Sequence, residues 1–309
     1  MGVPAVEYRS KITINGGKMQ AIVFDQRRNI LGEGPTATGA KNQQIQWVDI
    51  MGKMVRTRHL ITGEISEYST AEHVGFAIPR KVGGDVIGTA NGPHLRDADG
   101  TLHNLPTRID ADGFDATQVV RWNDGKISPA GDLFLGTMGY KFESKVAALY
   151  QMRGDGKHMR RIFGDVTISN GLDWTPDGKT MFYIDTTLQR VDKLDVVERD
   201  VINRRPFINF PESMGMPDGM SVDSDGNLWV AFWTGSAVRC FDGENGKQLD
   251  EISCPTPRIT SCVFAGENLD QLIITSAREE SEVGEPKESG MTFIATPGVR
   301  GQKTTLFGA

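Results

Sequence analysis

Three polar residues in separate stretches of the chain share one position relative to a polar turn. Asn123, Asn170 and Asp218 each come eight residues before the glycine of such a turn. The three glycines are Gly131, Gly178 and Gly226. Side-chain amide and carboxylate oxygens are the ligands that hard divalent cations prefer. If the fold brings these side chains together, their chemistry is that of a cation site.

Glu33 takes the comparable place in an earlier stretch, about nine residues before the turn at Asn42. Two carboxylates that face each other repel unless a cation or a proton lies between them. Glu33, Asn170 and Asp218, with Asn123 as a candidate fourth, are therefore predicted to hold one divalent cation. Oxygen ligands favour Ca²⁺, Mg²⁺ or Mn²⁺, and an open site with few protein ligands also accepts Zn²⁺ or Fe²⁺.

The alternative is that these residues only cap turns, which is the common role of Asp and Asn at the start of a strand. For any one of them alone that interpretation is the better one. Four such residues in register across repeats favour a shared site. Two further repeats offer candidates for the same position: His73 or Gly75, and Thr260 or Ser261.

The elements that would position these residues form a repeat. Six times, a polar turn is followed by a short hydrophobic strand whose apolar centre recurs every 40 to 48 residues. The segments are residues 42–49, 83–89, 130–136, 177–185, 225–231 and 269–276, centred on Trp47, Ile87, Phe134, Phe182, Trp229 and Ile273. A strand repeat of this length is typical of a β-propeller with four-stranded blades. The sequence therefore predicts an all-β, six-bladed propeller. Its Asp-Gly pairs, among them those at 112–113, 124–125 and 218–219, are expected to mark turns.

The first strand of each propeller blade is the innermost and lines the central channel. Asn123, Asn170 and Asp218 precede the predicted first strands of neighbouring blades, so we expect them at one end of that channel. Residues 20–24 are expected to pair with the last blade and close the ring, which removes a free strand edge. Residues 1–309 are accordingly predicted to form a single propeller domain.

Composition excludes several classes of protein. The net charge is −6 and the basic residues are dispersed, which argues against a nucleic-acid partner. No apolar run approaches the ~20 residues of a membrane span, and the first residues lack a signal-peptide pattern. The three cysteines show no metal-binding spacing and are expected to be buried thiols in a reducing compartment. We expect a cytoplasmic monomer or small homo-oligomer without a membrane partner.

Several motifs of the chain, in order, resemble those of the senescence-marker-protein/gluconolactonase/regucalcin family of six-bladed propellers. They are LGEGP (31–35), RWNDGK (121–126), GTM (136–138), SNGLDWTPDGK (169–179), PDGM (217–220) and PGV (297–299). The resemblance covers about residues 20–308. It implies a divalent metal held by Glu33, Asn170 and Asp218, substrate contacts from Arg121 and Asn123, and hydrolysis of sugar lactones.

Two positions depart from the pattern of the sugar-lactone enzymes. Lys141 stands near a position where an acidic residue often accepts hydrogen bonds from sugar hydroxyls, and Tyr140 and Phe142 flank it. Ala37 stands where a tryptophan commonly follows Gly-Pro-Thr. Neither change affects the predicted metal ligands. If Lys141 faces the pocket, it favours a substrate other than an aldonolactone.

The leading hypothesis is a metal-dependent lactonase. A metal at such a site polarises the lactone carbonyl and lowers the pKa of water, and Asp218 is the candidate to orient or deprotonate that water. Arg121 and Asn123 would position the small-molecule substrate, and Lys141 is a further candidate substrate contact. Two alternatives remain open: a phosphotriesterase or esterase that uses the same metal, and a calcium-binding propeller without turnover.

Overall fold

Short strands alternate with tight turns throughout the computed structural model, which describes residues 14–15, 18–107, 120–279 and 284–308. The strands form six sheets, and each sheet contains a meander of four antiparallel strands. The predicted six-bladed β-propeller is therefore confirmed. Helical structure in the described residues is limited to three 3-10 turns: Ala40–Asn42, Thr186–Leu188 and Glu212–Met214.

Three strands precede the first blade: β1 (Ile14–Asn15), β2 (Lys18–Gln20) and β3 (Ile22–Asp25). Blade 1 contains β4 (Gly32–Thr38), β5 (Gln44–Asp49), β6 (Met54–His59) and β7 (Ile65–Ser69). Blade 2 contains β8 (Val74–Pro79), β9 (Asp85–Thr89), β10 (Pro93–Arg96) and β11 (Leu102–Asn104). Blade 3 contains β12 (Val120–Ile127), β13 (Leu133–Gly139), β14 (Ala147–Met152) and β15 (Met159–Val166).

Blade 4 contains β16 (Ser169–Trp174), β17 (Thr180–Asp185), β18 (Arg190–Val197) and β19 (Asp200–Asn209). Blade 5 contains β20 (Met216–Val222), β21 (Leu228–Trp233), β22 (Ala237–Phe241) and β23 (Gln248–Ser253). Blade 6 contains β24 (Ile259–Ala265), β25 (Gln271–Ser276), β26 (Thr292–Ala295) and the N-terminal strand β3.

The hydrophobic core is divided among the blade interfaces. Each of the six predicted apolar centres lies on the second strand of its blade and is at most 1% exposed. Buried side chains form six clusters, and each cluster joins two neighbouring blades. Between blades 2 and 3, for example, Phe76 packs in one cluster with Trp122 and Leu135. Burial of this apolar surface holds adjacent sheets face to face.

Two N-terminal strands, β2 and β3, pair with blades 5 and 6. Strand β3 pairs antiparallel with β26, so the N-terminal part of the chain supplies the fourth strand of blade 6. Strand β2 pairs in parallel with β23 at the outer edge of blade 5. These pairings supply partners for edge strands that would otherwise be free to aggregate.

The C-terminal segment, residues 301–307, crosses between blades at one end of the channel. Gly301 bridges to Asp223 in blade 5, and Phe307 bridges to Arg80, which follows the first strand of blade 2. Between these two anchors, residues 302–305 line the channel. Gln302 donates from Nε2 to the carbonyl oxygens of Trp174 (2.8 Å) and Val222 (3.3 Å), which end the first strands of blades 4 and 5. This segment therefore lies at the end of the channel where the first strands finish.

Two sequence interpretations need correction. Asp124-Gly125 and Asp218-Gly219 have the composition of tight turns, but they lie inside β12 and β20. The physical reason is a β-bulge at each site, which uses an Asx-Gly pair within a strand. A third pair, Asp112-Gly113, falls outside the described residues.

The predicted buried thiols are confirmed, because Cys240, Cys254 and Cys262 are free and buried; the compartment stays a prediction. Burial also raises the pKa of the Cys262 thiol to about 12. Within the described part of the chain, no helix has the length and apolar character needed to span a membrane.

Candidate metal and active site

The predicted site residues lie on the first strands of four blades. Glu33 is on β4, Asn123 on β12, Asn170 on β16 and Asp218 on β20. We call these four the rim residues. All are buried, with 6–8% of each residue exposed. First strands of adjacent blades lie against one another around the channel, so residues distant in sequence converge at one end of it.

A β-bulge follows every rim residue or coincides with it. The strand register shifts between Glu33 and Thr36, Trp122 and Gly125, Asn170 and Leu172, and Pro217 and Met220. The corresponding strands of blades 2 and 6 shift after Val74 and Ile259. A bulge bends the strand and redirects a side chain, and bulges are enriched beside active sites. At this level of the channel, each of the six first strands therefore has a side chain that the bulge turns out of the direction expected from regular strand alternation.

Glycines at these bulges allow the first strands to approach closely. A Cβ on Gly171 would lie 2.5 Å from the carbonyl oxygen of Asp218, and a Cβ on Gly75 would lie 2.4 Å from that of Asn123. Both distances are too short for any side chain. A glycine directly follows Glu33, Asn170 and Asp218 and comes two residues after Asn123, so a glycine at this point of the first strand marks the rim in the sequence.

Hydrogen bonds connect Arg121 and the rim residues of blades 3 and 4 in a chain. Arg121 donates from Nη1 to Oδ1 of Asn123 at 2.8 Å, and Asn123 donates from Nδ2 to Oδ1 of Asn170 at 2.8 Å. Asn170 in turn donates from Nδ2 to the Thr186 hydroxyl, which donates to the carbonyl oxygen of Pro217. This series of hydrogen bonds fixes the orientation of the side-chain amides of Asn123 and Asn170. It leaves a lone pair on Oδ1 of Asn170 for a cation, because a carbonyl oxygen accepts twice.

Burial dominates the electrostatics of the carboxylates. It raises the pKa of Glu33 to about 8, and the nearby Asp124 adds to the increase, while the Gly34 amide and Arg121 oppose it. Burial also raises the pKa of Asp218 well above its ordinary value, followed by repulsion from Glu33 and Asp124. Charged carboxylates in this place therefore need a positive partner.

Asp124 is a site residue that sequence reasoning missed. Its pKa is raised to about 6 by burial and by Asp173, against the opposing effect of Lys126. It acts electrostatically on both Glu33 and Asp218. An Asp-Gly pair is typical of a turn. The signal that places this pair in a strand is the equivalent glycine of the other first strands, Gly34, Gly171 and Gly219.

The charges of this region fit one divalent cation. Four carboxylates and two cationic side chains interact there, so their formal charge is −2 when all of them are ionised. The carboxylates are those of Glu33, Asp124, Asp173 and Asp218, and the cations are Arg121 and Lys126. In the described residues, no group of three or more His, Cys, Asp or Glu side chains is arranged to hold a metal. The predicted set contains two carboxylates and an amide, so its chemistry suits a hard cation.

Arg121 is a buried cation without an ion-pair partner in the described part of the chain. It is 6% exposed, and its hydrogen bonds run from Nη1 to Asn123 and to the carbonyl oxygen of Trp122. Burial lowers its pKa to about 10, and Tyr140, Glu33 and Asp218 oppose that decrease. Its other N–H groups remain as donors beside the rim.

His73 and Tyr140 lie next to Arg121 at the same end of the channel. Their ring centroids are 6.3 Å apart, and Tyr140 is 40% exposed. Burial, Arg121 and Lys53 all lower the pKa of His73, so its imidazole is neutral at pH 7. Of the two candidates in blade 2, Gly75 allows close strand approach and His73 supplies a side chain.

Lys141 and the blade 6 candidates differ from this arrangement. Lys141 is exposed, and its backbone N–H donates to the Glu143 carboxylate at 2.9 Å; its substrate contact stays a prediction. Thr260 donates to the carbonyl oxygen of Gly32 at 2.5 Å, which ties blade 6 to blade 1. Ser261 lines a cavity of about 200 Å³ behind the rim.

Comparisons with known proteins find relatives that match almost the whole chain. The family model described as "SMP-30/Gluconolactonase/LRE-like region" matches residues 31–278. Regucalcin of Danio rerio is 34% identical over 92% of this chain and 96% of its own length. The putative sugar lactone lactonase YvrE of Bacillus subtilis is 34% identical over 90% of this chain and 94% of its own length. The structure of a calcium-binding protein, regucalcin, from Agrobacterium tumefaciens has a TM-score of 0.85 and 27% identity over 94% of this chain and 98% of its own.

Proposed function

The chain belongs to the SMP-30/Gluconolactonase/LRE-like family, and from that premise we propose that it is a divalent-metal-dependent lactonase acting on a small lactone. The relation to the regucalcin and lactonase relatives extends over at least 90% of the chain. The observation that supports the proposal most directly is that Glu33 and Asp218 are buried close enough to repel each other, at the end of the channel where Asn170 also lies.

Glu33, Asn170 and Asp218 would hold the cation through two carboxylates and one amide oxygen. When bound, such an ion supplies Lewis acidity for the carbonyl and lowers the pKa of water. Asn123 would act beside these ligands, since its amide holds Oδ1 of Asn170 at 2.8 Å. Its own Oδ1 is engaged by Arg121, which supports a positioning and substrate role for Asn123.

Asp218 is the proposed general base. A carboxylate can bind a cation through one oxygen and accept a proton on the other. In the metal-free protein, burial and neighbouring carboxylates raise its pKa. A divalent cation bound there would lower this pKa, so the carboxylate would be ionised and able to accept a proton. Its backbone lies at a bulge of β20, which aims the side chain to the end of the channel.

Arg121 is the proposed donor to the lactone. Its Nε and Nη2 groups have no hydrogen-bond partner among the described residues, and the Nη1 bonds to Asn123 and Trp122 hold the guanidinium in place. A pre-positioned donor stabilises the negative charge that develops on oxygen during ester hydrolysis. No covalent intermediate is required by this arrangement.

Proton release on mixing protein with substrates tests the proposal. Metal-loaded protein is mixed with gluconolactone, an aliphatic lactone, an aryl ester and a phosphotriester, in parallel with chelated protein. We expect metal-dependent proton release with at least one lactone. Release that persists after exhaustive chelation would contradict the metal mechanism, and release from the phosphotriester alone would assign a different activity.

Binding without turnover is the second candidate, because the Agrobacterium relative is described as a calcium-binding protein. Calcium binding together with no proton release from any substrate in the panel would favour it. The buried, unpaired Arg121 beside the rim supports catalysis, since a purely structural ion does not need a neighbouring donor for substrate.

A further inference from the structure

Lys126 and Asp173 form an ion pair inside the channel, behind the rim. The Nζ–Oδ2 distance is 2.7 Å, and the two side chains are 31% and 14% exposed. Both residues line the cavity of about 200 Å³, together with Asp124. Neither residue is among the proposed ligands or substrate contacts.

The pair joins the first strands of three blades. Lys126 belongs to β12 and Asp173 to β16. Lys126 also donates from Nζ to the carbonyl oxygen of Met220 at 3.3 Å, and the Val222 amide donates to Oδ2 of Asp173 at 2.8 Å. Both of these bonds reach β20. One ammonium and one carboxylate thus tie β12, β16 and β20 to each other.

These three strands carry Asn123, Asn170 and Asp218. Each rim residue lies two to four positions before the tied residue on its own strand, with the bulge between or beside them. Because a bulge interrupts the ladder hydrogen bonds, the register of the rim depends on what holds the strands below it. The Trp174 amide also donates to Oδ1 of Asp173 at 2.9 Å, so this carboxylate is fixed by two backbone groups as well.

We propose that the Lys126–Asp173 ion pair is a positioning device that holds Asn123, Asn170 and Asp218 at the spacing required by the bound cation. The inference rests on the proposed function, because that function needs the metal. Groups that orient metal ligands without touching the ion typically contribute 10- to 100-fold to affinity or activity. Lys126 and Asp173 are positioning residues in this sense.

Positioning and simple charge compensation predict opposite effects of removing the ammonium. Lys126 is a positive charge close to the carboxylates, so its loss by itself should strengthen the binding of a cation. If the ion pair instead sets the ligand spacing, its loss weakens binding. The sign of the change in affinity therefore separates the two roles.

The experiment measures Mn²⁺ binding by the loss of the free-ion EPR signal, with no substrate present. We expect Lys126→Met and Asp173→Asn each to raise the Kd by about 10-fold or more, and Lys126→Arg to raise it less. The matched control is Lys193→Met: Lys193 also ties two blades, by donating to the carbonyl oxygen of Gly243 at 2.8 Å, but it lies on the third strand of blade 4. The Kd of the Lys193→Met variant for Mn²⁺ should be the same as that of the wild type.

Circular dichroism and melting temperature establish that each variant is folded, and Lys126→Gln, which also removes the ammonium, serves if Lys126→Met does not fold. The sign test rests on the Lys126 variants, because Asp173→Asn removes a negative charge and should weaken cation binding in either role. Mn²⁺ binding by Lys126→Met or Asp173→Asn that is as tight as wild type, or tighter, would overturn the proposal alone. Wild-type protein that binds no divalent cation would overturn the proposed metal centre as well.

Discussion

At the scale of single residues, hydrogen bonds set the orientation of the polar side chains at the rim. Asn123 links Arg121 to Asn170 through one amide, with both distances at 2.8 Å. The sequence predicted which residues meet, because register across repeats brings equivalent positions together. It did not predict Asp124, since Asp-Gly usually forms a turn and the bulge that keeps this pair within β12 depends on the neighbouring strands.

Replacement of two rim residues should have different kinetic effects. Asp218→Ala removes the proposed base and a ligand, so kcat should fall by at least ~10²-fold. Asn170→Ala should mainly weaken metal binding, and excess metal should partly restore activity. Steady-state kinetics over a range of metal concentrations measures both effects. Asp177→Ala, on an exposed turn of blade 4, is the control. Wild-type turnover in both rim variants at ordinary metal concentrations would refute the site assignment.

The stability of the metal-free protein should depend on pH through Glu33. Its pKa in the folded protein is raised from 4.5 to about 8, so folding favours the protonated form. This stability is fully present below about pH 4.5 and is lost as the pH rises through about 8. We therefore expect the melting temperature of chelated protein to fall between pH 5 and pH 8.

The control for this pH effect is Glu33→Gln, which cannot ionise and should show a smaller fall over the same interval. Added divalent metal should stabilise the wild type most at the upper end of the range, where the proton has left. An equal fall in wild type and variant would show that other groups cause the dependence.

At the scale of structural elements, the strands were easier to predict than the loops between them. The six second strands follow the hydrophobic pattern closely, because burial between blades imposes it. The loop after β13 lacks such a constraint. Its Tyr140 lies beside His73 and Arg121, whereas Lys141, the residue singled out from the sequence, donates its backbone N–H to Glu143.

Lys141→Glu tests whether this loop selects the substrate. An ammonium only donates hydrogen bonds, so a glutamate should improve gluconolactone relative to an aliphatic or carboxylated lactone. If Lys141 faces the substrate, the ratio of kcat/KM values should shift several-fold, the scale of a hydrogen bond of about 1 kcal/mol. Lys145→Glu, the same charge change in the same loop, is the control. An unchanged ratio would remove Lys141 from the pocket.

At the scale of the whole molecule, the ring makes the proposed metal site depend on the fold. Its rim residues come from blades 1, 3, 4 and 5, so the ligand set exists only when those blades are assembled. The sixfold period predicted this architecture. The path of the C-terminal segment was not predictable, because it follows hydrogen bonds of Gln302 and the packing of Phe307 and carries no strand pattern.

Chelation should therefore lower both activity and melting temperature. An ion that binds only the folded protein stabilises it by mass action, and readdition of divalent metal should restore both properties. Differential scanning calorimetry and the lactone assay on the same samples measure them. Full activity after exhaustive chelation, with no metal found by elemental analysis, would contradict the proposal.

The C-terminal segment across the channel affects how substrate enters the site and how product leaves it. Residues 302–305 line the channel behind the rim, and the anchors at Asp223 and Arg80 hold the segment at that end. Under the proposed function, substrate and product would then use the same opening, beside Tyr140. The ring-opened hydroxy acid would carry a new carboxylate next to Arg121, so it should compete with further lactone for the same site. We expect competitive product inhibition, visible as progress curves that slow before substrate is exhausted.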